Sequence, residues 1–183
     1  MDAWVWILLV VVIVAVVLLL AWRAAQRRRL SSRYGDEYER TVAETGGQRQ
    51  AVSELKAREQ RREELDIRPL PSAARERYLQ TWSGTQERFV DAPAAAVKEA
   101  DGLVQEVMRE RGYPVDDFEQ RAADISVDHP NLVENYRAAH AISLASDHEK
   151  ATTEDLRQAM VHYRSLFEEL LGGDAGVEQR PSA

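Results

Sequence analysis

The chain alternates between one unbroken apolar run and a long series of amphipathic segments. Ala3 to Trp22 reads AWVWILLVVVIVAVVLLLAW, without a charged or strongly polar side chain. At about 1.5 Å per residue such a helix is about 30 Å long, the thickness of a bilayer's hydrocarbon core. The backbone in lipid must satisfy its own hydrogen bonds, so a single span there is helical. Trp4, Trp6 and Trp22 stand at the two ends, where indoles favour the headgroup boundary. A cleaved signal peptide would need a basic start, a shorter apolar core and a small-residue cleavage site, and the sequence offers Met1-Asp2, a long core and Trp22-Arg23 instead.

After the span the pattern becomes charge-dense and then helical in period. Residues 34–66 carry few apolar positions (Tyr34, Tyr38, Val42, Val52, Leu55, Leu65) among helix-supporting pairs such as Asp36–Arg40 and Glu54–Arg58. Gly46-Gly47 interrupts them. This reads as a solvated helical stalk with a hinge at the glycines, and self-association as a coiled coil is the sharper alternative. Pro69 and Pro71 end it. Five helices follow in the pattern, over 72–90, 94–111, 115–126, from Pro130 onward, and from Thr152 or Thr153 to Leu171. Their inward faces are set by Tyr78, Trp82, Thr85 and Phe89; by Val97, Ala100, Val104 and Val107; by Phe118, Ala122 and Ile125; by Leu132, Val133, Tyr136, His140 and Leu144; and by a stripe from Leu156 to Leu170. Gly112 suits a left-handed cap and Asp128-His129-Pro130 a helix start. No segment alternates with period two. The fold class expected is therefore all-α: a transmembrane helix, a polar juxtamembrane helix and a compact bundle of about five helices. The domain division expected is residues 1–2 outside the membrane, 3–22 spanning, 23–33 basic and juxtamembrane, 34–66 stalk, 67–171 bundle and 172–183 tail.

Charge then sets the orientation. Arg23, Arg27, Arg28, Arg29 and Arg33 follow the span and only Asp2 precedes it. Basic residues beside a span stay in the cytoplasm, so the expectation is a plasma-membrane protein with its N-terminus out and all else inside. The same arginines would face lipid headgroups at about 1 kcal/mol each. Over the 183 residues Lys+Arg total 24 against 31 Asp+Glu, a net charge of −7. The acidic excess lies far from the membrane, which argues against nonspecific nucleic-acid binding and keeps the distal domain off an anionic surface. Cys 0 excludes disulfide scaffolds, thiol enzymes and Cys-ligated metals.

Motifs for chemistry are absent from the sequence: no phosphate-binding glycine loop, no HExxH, no GxSxG, no Glu-x-x-His. No cofactor and no metal is expected, nor an enzyme. His129 reads as part of a helix start and His148 as a loop residue. Antiparallel pairing of the last two helices brings His140 within about a turn of His162, with Tyr136 and Tyr163 in the same layer, as a polar cluster that is either structural or the lining of a ligand pocket. Asp124 and Asp128, spaced i,i+4, read as a solvated face that could attract a cation. Trp82, Tyr78 and Phe89 are the candidate anchors for a protein partner, unless they fill the bundle core.

The segments RGYPVDDFEQRAADISVDHP (111–130), ENYRAAHAI (134–142) and TEDLRQAMVHYRSLFEELL (153–171), with RPL at 68–70, together resemble an uncharacterised family of short membrane-anchored actinobacterial proteins. The resemblance covers about residues 34–171. It implies a bacterial plasma membrane and one recurrent domain, and brings no activity, cofactor or catalytic residue. The function expected is a membrane-anchored, non-enzymatic adaptor or scaffold that recruits a protein partner, itself monomeric or a homo-oligomer. The alternative is a helical enzyme or ligand sensor with a pocket near His140 and His162.

Overall fold

The computed structural model describes residues 3–172. The expected outer N-terminus (residues 1–2) and tail beyond Gly172 lie outside them. The described chain is all-α: α1 (Ala3–Tyr34), α2 (Asp36–Thr45), α3 (Gln48–Glu64), α4 (Ser72–Arg88), α5 (Pro93–Arg111), α6 (Phe118–Asp128), α7 (Pro130–Asp147) and α8 (Thr153–Gly172). It divides into two compact units, residues 1–56 and 57–183, with the boundary inside α3. The sequence pattern had placed the start of the bundle at residue 67.

In the first unit α1 runs 32 residues without a break, so the apolar run at 3–22 and the basic segment at 23–33 form one helix. Its most apolar window has a mean hydropathy of 2.4 and 0% of that window is buried. At about 1.5 Å per residue α1 is longer than a hydrocarbon core is thick. Its arginine-rich end is packed. Leu30 and Tyr34 of α1, Tyr38 of α2 and Leu55 of α3 form a small core, with Val42 and Val52 against it. Glu37 and Thr41 are buried as well.

The solvated stalk is thereby corrected: its helices are present, but they fold on one another. Gly46 adopts φ 76°, in the left-handed region, and ends α2 so that α3 can turn back. On either side of the hinge expected at Gly46-Gly47 the apolar residues are too few to announce a seam. Folded, Tyr34 at the end of α1 and Tyr38 and Val42 on α2 meet Val52 and Leu55 on α3.

The second unit is built on one core from α4 to α8. Its largest helix pairings are α7 with α8 and α5 with α8, followed by α4 with α5 and α6 with α7. The expected stripes point inward: Val97, Ala100, Val104 and Val107 on α5, and Leu156, Ala159, Met160, Tyr163, Leu166, Phe167 and Leu170 on α8, are buried. On α7 the buried stripe is Val133, Tyr136 and Ala139, while Leu144 is exposed.

The helix ends follow local chemistry. Asp117 accepts from the Gln120 amide at 2.8 Å and caps α6. Thr152 Oγ1 accepts from the Asp155 amide while Asp155 Oδ2 accepts from the Thr152 amide at 2.8 Å, a reciprocal capping box before α8. Gly112 takes φ 101° and closes α5. At the α6–α7 junction the capping position is His129, with no side-chain cap, because Asp128 is used elsewhere. Its carboxylate accepts from Arg62 and from Tyr113 Oη.

Candidate functional site

The polar layer expected at the centre of the bundle forms between α5, α6, α7 and α8, with different members. Tyr136 and Tyr163 are fully buried and meet edge to face, their ring centroids 6.2 Å apart. His140 lies flat on Phe118, centroids 3.6 Å apart and planes at 12°. Phe118 also touches Tyr136 at 5.1 Å, so the rings form a connected run from His140 to Tyr163. The buried Arg121 guanidinium donates from Nε to Tyr136 Oη at 3.1 Å, donates to the Val115 carbonyl and sits 5.6 Å from the Phe118 centroid.

His162 is not a member. It is half-buried and makes no hydrogen bond, ion pair or ring contact among the described residues. Neighbouring positions on a helix point about 100° apart, so with Tyr163 turned to α7 its neighbour cannot be.

Asp101, on α5, is a member the sequence reading missed. Its Oδ2 accepts from Gln105 Nε2 at 2.8 Å, and its charge acts on Tyr136, His140 and Tyr163 alike. The signal was a carboxylate in the inward register 97, 101, 104 and 108, where the other three residues are core. Burial pushes the Tyr163 hydroxyl far up, with Asp101 acting the same way. Burial lifts Tyr136 to about 12, against the opposing Arg121. Burial lowers His140, and Asp101 opposes that. Both phenols therefore stay protonated and His140 is neutral near pH 7. Asp101 Oδ1, His140 Nδ1 and Tyr163 Oη are buried with no hydrogen bond of ordinary geometry. The layer can bind by hydrogen bonds.

The remaining candidates are placed as follows. Trp82 and Tyr78 are buried core residues, and Phe89 is half-buried against the same core, so they are not exposed partner anchors. Trp82 stacks on Phe167 with centroids 4.6 Å apart, and Tyr78 Oη donates to Glu110 at 2.7 Å. Core packing takes the large aromatics first because each buries far more apolar area than its neighbours. Asp124 is buried rather than solvated. It accepts from Gln120 at 2.7 Å, and desolvation raises its carboxyl while Gln120, Arg61 and Arg58 pull it down. With Asp128 held by Arg62 and Tyr113, the two carboxylates do not form a cation site. No group of three or more His, Asp or Glu suited to a metal occurs among the described residues.

His129 is half-buried, 3.4 Å from Glu169 Oε1. Desolvation lowers it, opposed chiefly by Glu169 and Asp128. His148 is exposed at the end of α7. Arg27, Arg28, Arg29 and Arg33 are exposed on the last turns of α1, and the Arg23 side chain lies outside the described part. Comparison with protein families, curated proteins and solved structures finds no match to this chain.

Proposed function

We propose that the chain is a single-pass plasma-membrane protein, N-terminus out, that presents a helical module to the cytoplasm and acts as a non-enzymatic adaptor recruiting a protein partner. The observation that carries this reading is the wholly uncovered apolar window of α1. Such a surface in water would be an aggregation liability, and lipid is the solvent that suits it. The arginines that follow it support the orientation. The resemblance to membrane-anchored actinobacterial proteins supports a bacterial plasma membrane. The adaptor reading is supported by how the second unit uses its reactive-looking side chains: Asp124, Asp128, Arg121 and Tyr78 are all tied into its own hydrogen bonds.

The cysteine-free chain makes topology directly measurable. Asp2→Cys is expected to react with a membrane-impermeant maleimide on intact cells, and Ser83→Cys only after permeabilisation. The reverse pattern overturns the orientation. Mass spectrometry of complexes released gently from the native membrane is expected to show a stoichiometric second protein. A bare chain carrying a small molecule would favour the ligand-sensor reading, for which the buried polar layer of Asp101, His140 and Tyr163 is the specific support.

A further inference from the structure

Beside the end of the apolar stretch, α1, α2 and α3 border two adjoining open hollows of about 490 and 480 Å³ that share Ala24, Arg27 and Gln48. The first is apolar at one end, where Leu20, Trp22 and Val52 line it, and cationic at the other, where Arg27 and Arg49 line it; among the described residues no acidic one borders it. The second adds Arg28, Ser31 and Ser32, and Glu39 is an acid on its rim. Arg27 is braced across the groove by its hydrogen bond to Gln48. Lys56 donates to Gln26 at 2.7 Å and holds its ammonium 5.4 Å from the Trp22 ring, which fixes α3 against α1 at this level.

We propose that this groove is a binding site for the headgroup of one anionic phospholipid, its phosphodiester between Arg27 and Arg49 and its acyl chains along Leu20 and the apolar face of α1. The inference rests on the reading of α1 as a membrane span. Three features point to lipid rather than to a general attraction of charge. The cationic residues come from two helices instead of one juxtamembrane run. The guanidinium groups present fork-like donors that suit phosphate oxygens. The apolar lip opens at the depth where a span leaves the hydrocarbon, so the site is amphipathic in the same order as a lipid. Arg49, well beyond the span in sequence, is the residue that separates this site from the basic run at 23–33.

The test is native mass spectrometry of the full chain released from bilayers of equal phosphatidylglycerol and phosphatidylcholine, read beside flotation with pure phosphatidylcholine vesicles. The expected result is a chain that floats and is released carrying phosphatidylglycerol in preference to phosphatidylcholine. R27Q/R49Q is expected to float but to lose the preference, R27K/R49K to keep much of it. R29Q/R33Q removes equal charge outside the groove and is expected to keep it. Equal loss in the two glutamine pairs overturns the site in favour of diffuse attraction, and equal retention of both lipids overturns it outright. Displacement of the lipid by inorganic phosphate would reassign the groove to a free anion. Failure to float on phosphatidylcholine overturns the span itself, whereas flotation without a lipid preference overturns only the groove.

Discussion

Two glycines, Gly102 within α5 and Gly112 at its cap, show how much a residue's meaning depends on its surroundings. Gly112 sits at φ 101°, and a Cβ built there would collide with the carbonyl oxygen of Asp66. The chain passes close at this point because the Arg68 amide donates to the Arg111 carbonyl at 2.9 Å. Gly102 has ordinary helical geometry, with nothing within 4 Å of its built Cβ. Gly112→Ala adds a forbidden torsion to a backbone clash and is expected to cost about 3 kcal/mol or more. Gly102→Ala reduces the freedom of the unfolded chain and is expected to stabilise by about 0.5–1 kcal/mol. Thermal unfolding of the two variants in micelles checks both, and a loss of similar size at the two positions would refute the argument. The composition of α5 marks both as glycines in or at a helix; only Gly112, followed by Pro114, carried a sequence signal for its role.

At the level of the element, α8 is the most dependable part of the molecule because its sequence, capping and packing agree. Thr152 and Asp155 satisfy each other's amides, and the buried stripe from Leu156 to Leu170 faces α5 and α7. Thr152→Ala is expected to cost about 1 kcal/mol, the usual loss for a helix cap. Phe167→Ala, which removes the ring stacked on Trp82, is expected to cost about 3–5 kcal/mol. Denaturant titration should separate them clearly, and near-equal losses would mean that the stack is not core.

The same agreement explains what was legible in the sequence. The bundle helices carried periodic stripes bounded by Gly, Pro and capping residues, so their existence and inward faces could be read in advance. The folding of α2 and α3 onto α1 could not, because its core is four principal side chains drawn from three helices and no single segment shows a stripe strong enough to announce it. The polar layer was half legible: loop position predicted that Tyr136, His140 and Tyr163 share a level. The choice of Tyr163 over His162 depended on helix rotation, and Asp101 came from an element outside the pairing that was considered.

For the whole molecule, the two histidines held neutral by burial set the direction of its response to acid. His129 is lowered by desolvation against the opposing charges of Glu169 and Asp128, with Arg111 acting in the same direction as burial. His140 is lowered by desolvation against Asp101 and Glu119, with Arg121 acting in the same direction as burial. In the unfolded chain both titrate near 6.5. Between that value and their lower folded values the unfolded state binds more protons, so stability falls as pH falls. Their contribution is complete above about 6.5 and is lost as pH drops through the folded values. The carboxylates act lower: Glu154 and Asp155 are lowered by their partners and give up stability only on further acidification. Asp124, raised by burial, works in the opposite sense. Melting in micelles between about pH 7 and pH 5.5 follows the histidines with Asp124 opposing them, and the midpoint is expected to fall. His140→Phe preserves a ring on Phe118 and removes one titrating group, so its midpoint should fall less steeply while remaining near the wild-type value at neutral pH. His140→Ala, which leaves Phe118 without its stacking partner, should be destabilised throughout. A wild-type midpoint that is flat or rises on acidification would show that the charges around these rings outweigh their burial. Loss of stability in His140→Phe as large as in His140→Ala would show that the imidazole's hydrogen bonding, and not its ring, is what the layer requires.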